Sequence, residues 1–144
     1  MRTPNTELYL HLVWATWDRL PLATETIRPH IYAAIAEKCR ELKCVPLAIG
    51  GIEDHVHLLV RLHTAVPVAA LAREVKGSSS HLVTHEVTPA DFFKWQGAYG
   101  AFTVWKGNVP AVTGYIERQQ EHHATGDLRV EWEHTATEEE ESEG

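Results

Sequence analysis

VPLAIGGIEDHVHLLVRLH, Val45 to His63, holds two extended runs and the turn between them. Val45 to Ile52 is short and apolar and closes on the pair Gly50-Gly51, and Glu53-Asp54 makes a tight turn. His55 to His63 then alternates before running apolar, as a sheet strand does. The second strand also carries a surplus, because a strand does not need histidine to fold. Side chains at i and i+2 leave a strand on one face, about 6–7 Å apart. His55 and His57 therefore aim two imidazoles to one side, while Val56 and Leu58 face the core. Such a pair suits a divalent metal with adjacent open positions. Taken alone, so short a motif is more often an ordinary solvated strand face, and His63 at the far end fits that plainer account.

Two strands joined without a helix form the middle of the element order. Upstream, Glu7 to Trp17 (ELYLHLVWATW) alternates and is rich in aromatic and branched residues, which predicts strand one. Thr24 to Leu42 places Ile27, Ile31, Ile35, Cys39 and Leu42 at helical spacing, with Thr24 or Thr26 as cap and Pro29 in the first turn. Downstream, a second helix starts near Pro67 with Val68, Leu71, Val75, Leu82 and Val83 on one stripe. It contains Lys76-Gly77-Ser78-Ser79-Ser80, an odd insert because glycine costs about 1 kcal/mol inside a helix. A loop with Pro89, a fourth strand over Trp95 to Trp105, and a helix from about Val109 to Ala124 complete the chain. Asn108 is the expected cap of that helix, with Pro110 in its first turn. The order β-α-β-β-α-β predicts an α+β, ferredoxin-like, four-stranded antiparallel sheet with helices on one face, plus an additional C-terminal helix that carries Tyr115.

At 144 residues, 44% hydrophobic and with five tryptophans, the chain reads as one globular domain. No apolar run approaches the ~18 residues of a membrane helix, and MRTPNTELYL lacks the apolar core of a signal peptide, so a cytoplasmic protein is expected. Cys39 and Cys44 read as reduced thiols, with no second pair to build a zinc site. The net charge of −7 is concentrated at one end: residues 131–144 hold seven glutamates and no Lys or Arg, which leaves residues 1–130 with 13 basic and 13 acidic side chains. The domain is therefore read as residues 1–130 and the remainder, 131–144, as an acidic, disordered tail. A neutral body neither excludes DNA nor argues for it.

Further candidates lie on the helices. Tyr115 and Gln119 stand at i and i+4 and share a helix face. A tyrosine hydroxyl is a competent nucleophile once activated, and a glutamine carbonyl oxygen is a reasonable hard ligand for Mg²⁺ or Mn²⁺. The plainer reading has Tyr115 packed on the sheet and Gln119 at the surface. Lys76, Gly77, Ser78 and Ser79 combine a cation, small hydroxyls and close backbone approach, all suited to phosphate, with Arg73 one turn earlier on the face of Lys76. A polar helix surface with a glycine kink explains the same residues. The tryptophans and Tyr99 offer faces on which bases stack, although most fit a core. His122 and His123 fit a helix C-terminus, where cations are favoured.

As an ordered set these signals say more. YLHLVWATWDRLPL, DHVHLLV, KGSS, WQGAYGAFTV and VTGYIERQQEHH, in that order, closely resemble the HUH-type single-tyrosine transposases of IS-200-like insertion sequences. The resemblance covers about Leu8 to Ala124, and its most specific part is the His-hydrophobic-His motif with a downstream Tyr-x-x-x-Gln. It implies a ferredoxin-like core and a bacterial or archaeal DNA transposase that cleaves and rejoins single-stranded DNA hairpins at element ends through a 5′-phosphotyrosine. It further implies a homodimer in which the tyrosine helix often completes the partner subunit's site. Carried over residue by residue, His55 and His57 become ligands of Mg²⁺ or Mn²⁺, Gln119 the third ligand and Tyr115 the nucleophile. Asp54, beside His55, is placed to orient an imidazole or simply to make the turn. The acidic tail lies outside the pattern. Competing readings are a rolling-circle-type nickase, a domesticated relative that processes chromosomal palindromic repeats, and a non-catalytic domain that binds single-stranded nucleic acid on stacked aromatics.

Overall fold

The computed structural model of the protein describes residues 2–119, 130–133 and 135. Strand β1 (Tyr9–Ala15) runs into a short 3-10 turn at Trp17–Arg19, followed by helix α1 (Arg28–Glu41). The hairpin β2 (Val45–Ile52) and β3 (His55–Arg61) comes next, then helix α2 (Val68–Leu82), strand β4 (Gly100–Val104), helix α3 (Val109–Glu117) and a single helical turn α4 (Val130–Glu133). The four strands form one antiparallel sheet in the order β2-β3-β1-β4, the arrangement expected of a ferredoxin-like β-α-β-β-α-β chain.

The period-2 alternation of β1 and β3 divides the sheet's two faces. Leu10, Leu12 and Trp14 of β1 and Val56, Leu58 and Val60 of β3 pack with Ile31, Ile35 and Cys39 of α1 and Leu71 and Val75 of α2. The alternate residues of the same strands look the other way: Leu59 meets Val112 and Ile116 of α3, with Ala48 of β2. The first two helices thus share one face, as expected, and the added helix covers the other. Burial of thiol Cys39 in the first layer pushes its pKa up to about 12.

Several boundaries are tighter than the sequence suggests. The fourth strand is confined to Gly100–Val104, because Trp95 instead forms an isolated bridge with Thr16 and Gln96 N–H donates to Ala15. No side-chain cap bond forms at Asn108, and α1 begins at Arg28 behind Ile27, which also makes no side-chain cap bond. Helix α2 runs unbroken through Gly77, whose missing side chain faces open space. The expected continuation of the last helix through His122, His123 and Ala124 lies outside the described residues, as does most of the acidic span.

Gly50 controls how α3 lies on the sheet. A Cβ placed there would sit 2.2 Å from the backbone oxygen of Ile116, so only glycine admits the helix at this distance from β2. Tyr115, the residue before Ile116, is thereby brought over the β3 histidines.

Candidate functional site

His55 and His57 lie on the α3 side of β3 and are buried, together with Tyr115 of α3 and Gln119 just beyond its end. Pairing of β1 with β3 sets Val13 opposite His57, which brings His11 diagonally beside it on the same face. His11 Nε2 and His57 Nδ1 share a hydrogen bond of 2.8 Å, its direction set by which ring nitrogen carries the proton. Burial, with His57 alongside, lowers the His11 pKa to about 3, so this imidazole is neutral at ordinary pH.

His55 is oriented from both sides. Its Nδ1–H donates to Asp54 Oδ1 at 2.7 Å, and its Nε2 lies 3.2 Å from Gln119 Oε1. Burial alone would disfavour a charged His55, but the Asp54 and Glu133 carboxylates outweigh it and lift the pKa to about 9. Gln119 is held by the end of α3, its Nε2–H donating to the Tyr115 carbonyl at 3.2 Å, with Oε1 turned to His55. The Tyr115 ring stands edge-on to His57 at 5.9 Å between centroids. The four residues that sequence reasoning singled out, His55, His57, Tyr115 and Gln119, are therefore one cluster within a single chain.

Two members of the cluster were not found from sequence. His11 sits in a strand that its alternation already explained, and only the sheet register joins it to His57. Glu133 belongs to the span read as a tail. Its Oε1 accepts the Tyr115 hydroxyl at 2.6 Å, while its Oε2 accepts His57 Nε2–H at 2.9 Å and lies 3.3 Å from His55 Nε2. Although burial works against ionisation, the bonds from His55, His57 and Tyr115 hold this carboxyl well below the usual carboxylate range. The preceding Trp132 packs edge-on against Tyr115, centroids 4.9 Å apart, and joins the apolar cluster of Leu59, Val112 and Ile116. An aromatic inside an otherwise acidic run was the one available sign that this segment docks.

The cluster offers donors for a divalent cation, with a carboxylate, Glu133, beside the two imidazoles. The histidine Nε2 atoms and Gln119 Oε1 converge from two elements, and the far side of each group is held by His11, Asp54 or the Tyr115 carbonyl, as ligands of a built metal site are. A cleft lined by Glu25, Arg28, Tyr32, Gly50 and Gln119 opens beside the cluster.

The residues suited to phosphate lie in the other layer. Arg73 is exposed, and Lys76 is half-buried, its Nζ donating to the carbonyls of Gln96 and Gly97 at 2.6 and 3.1 Å. Ser78 is half-buried, whereas Ser79 is buried: its hydroxyl donates to Val75 O at 2.7 Å and accepts Trp95 Nε1–H at 3.0 Å. Among the aromatics, Trp14 and Trp95 are core residues and stand edge-on to each other. Trp17 and Trp105 are exposed, the latter 70%, with Lys94 Nζ 4.1 Å over the Trp17 ring.

Comparison with known proteins bears on the family and the fold. Residues 5–119 match the family model "Transposase IS200 like". Two solved structures share the fold. One is a "putative transposase" from Deinococcus radiodurans R1, 20% identical, with a TM-score of 0.67 over 83% of this chain and 95% of that one. The other is a REP-associated tyrosine transposase bound to a REP hairpin, 15% identical, with a TM-score of 0.64 over 85% of this chain and 73% of that one. No curated protein sequence matches the chain.

Proposed function

We propose that this chain, which belongs to the family of IS200-like transposases, cleaves and rejoins single-stranded DNA beside a hairpin, with Tyr115 as nucleophile. The observation that carries this reading is the convergence of Tyr115, His55, His57 and Gln119 in one buried cluster, although 60 residues separate the two halves of the set (His55 to Tyr115). A sheet that merely displayed aromatics for stacking would not need these polar groups buried together.

In this reading His55, His57 and Gln119 hold Mg²⁺ or Mn²⁺, which would polarise a non-bridging oxygen of the scissile phosphate and offset charge in the transition state. The Tyr115 oxygen attacks the phosphorus in line. The new O–P bond forms as the bond to the 3′ oxygen breaks; the phenol loses its proton and the departing 3′ oxygen takes one up. The products are a 5′-phosphotyrosine and a free 3′-hydroxyl. One phosphodiester is exchanged for another, so a second 3′-hydroxyl can reverse the step at a new junction without an external energy source. Asp54 and His11 fix the two imidazoles, since each bonds a ring Nδ1, opposite the Nε2 that would hold the ion.

The hairpin as substrate is supported by the likeness to the REP-bound transposase. Arg73, Lys76 and Ser78 of α2 are offered as backbone contacts, with Ser79 holding the helix against Trp95 beneath them. With one nucleophilic tyrosine per chain, two simultaneous cleavages require two chains, which favours a homodimer. Among the described residues no helix is long and apolar enough to cross a membrane.

Incubation of the protein with an end-labelled hairpin oligonucleotide carrying single-stranded flanks tests the reading. Cleavage is expected with Mg²⁺ or Mn²⁺ and not with chelator, and it should be suppressed in His57→Ala. Tight binding without cleavage under every metal condition would favour the non-catalytic domain instead.

A further inference from the structure

We propose that Glu133, delivered by the C-terminal segment, is the anionic ligand of the metal site and ties the metal to the tyrosine nucleophile. The inference rests on the metal-dependent reading above and adds to it a residue outside the His-x-His and Tyr-x-x-x-Gln motifs.

The first argument is charge. Two imidazoles and one amide oxygen make a neutral donor set, whereas Mg²⁺ and Mn²⁺ are hard cations that favour carboxylate oxygen. Among the described residues, Glu133 is the carboxylate whose oxygen lies within 4.8 Å of both histidine ligand atoms.

The second argument is geometry. An octahedral ion with bonds of about 2.1 Å separates neighbouring donors by ~3.0 Å. Glu133 Oε2 lies 2.9 Å from His57 Nε2 and 3.3 Å from His55 Nε2, and Gln119 Oε1 lies 3.2 Å from His55 Nε2. Three edges of that length are already set. One oxygen, Oε2, faces both imidazoles, while Oε1 takes the Tyr115 hydroxyl at 2.6 Å. A single carboxylate thus spans the cation position and the nucleophile.

The third argument is the seat of the segment. Trp132 packs on Tyr115 and stands edge-on to His11 at 6.1 Å, within the apolar cluster under α3. The Glu133 side chain is only 16% exposed, so it is held at the cluster. A bare carboxylate at this point would repel the scissile phosphate; bound to a divalent ion, the pair carries a net positive charge and attracts it.

Mn²⁺ binding to the full chain, followed by electron paramagnetic resonance of free Mn²⁺, tests the inference without reference to activity. Glu133→Gln, close to isosteric, is expected to raise the Mn²⁺ Kd at least tenfold, and Glu133→Asp to fall between it and the wild type. His57→Ala is the reference and should lose binding. A Glu133→Gln protein that binds Mn²⁺ within twofold of the wild type, while His57→Ala does not, would overturn the role of Glu133 and leave the metal reading standing. Unchanged affinity with faster hairpin cleavage would overturn it too, and would make Glu133 an occluding group. Unchanged affinity in both variants would remove the metal site itself.

Discussion

Replacing Gly50 by alanine tests how the fold aims Tyr115, the proposed nucleophile. The added Cβ would meet the Ile116 backbone oxygen at 2.2 Å and its carbonyl carbon at 3.1 Å. Ordinary contact is no closer than about 3.4 Å, so β2 and α3 must separate by roughly 1 Å, and neither backbone atom can rotate away. Overpacking of this kind costs about 1–3 kcal/mol. On the proposed mechanism the larger effect falls on catalysis, because Tyr115 precedes Ile116 and moves with it. A displacement of about 1 Å at a reacting group lowers rate by about a hundredfold. Gly77→Ala is the matched control: its Cβ meets nothing, and a glycine inside a helix is worth about 0.5–1 kcal/mol less than alanine. Urea denaturation together with hairpin cleavage gives both readouts. Gly50→Ala should be less stable by about 1–3 kcal/mol and cleave about a hundredfold more slowly, and Gly77→Ala should gain stability. A Gly50→Ala protein with wild-type cleavage would refute the claim that this contact positions Tyr115.

Ser79→Ala removes the acceptor of the buried Trp95 indole, and an unsatisfied donor costs about 1–3 kcal/mol; denaturation should show that loss, while hairpin affinity stays unchanged. Cys39, buried and with its pKa pushed up to about 12, holds almost no thiolate at pH 8. Alkylation by iodoacetamide at that pH should therefore spare it in the folded protein and label it fully in denaturant, as read by mass spectrometry of the Cys39 peptide.

The sheet was legible because β1 and β3 obey period 2 so cleanly that Leu10, Leu12 and Trp14 and Val56, Leu58 and Val60 mark one face unaided. The same rule put His55 and His57 together on the other face, and helical spacing paired Tyr115 with Gln119. His11 was legible as a strand residue but not as a neighbour of His57, since register between strands is fixed by side-chain packing that no single strand displays. Glu133 was hidden for a different reason: a carboxylate in an acidic run carries no periodic signal, and 76 residues separate it from His57. Ser79 could have been placed inside. The stripe of Leu71 and Val75 continues four residues on to position 79, and serine's polarity masked a position that the period assigns to the core.

The central claim is that the Tyr115 oxygen becomes bonded to the 5′ phosphate. Denaturing gel electrophoresis and peptide mass spectrometry of a reaction with a hairpin labelled 3′ of the cleavage site measure this directly. The account predicts a protein–DNA adduct that maps to the Tyr115 peptide in the wild type and is absent from Tyr115→Phe, which still binds the hairpin. An adduct that persists in Tyr115→Phe, or cleavage that leaves only free 5′-phosphate ends, would contradict it.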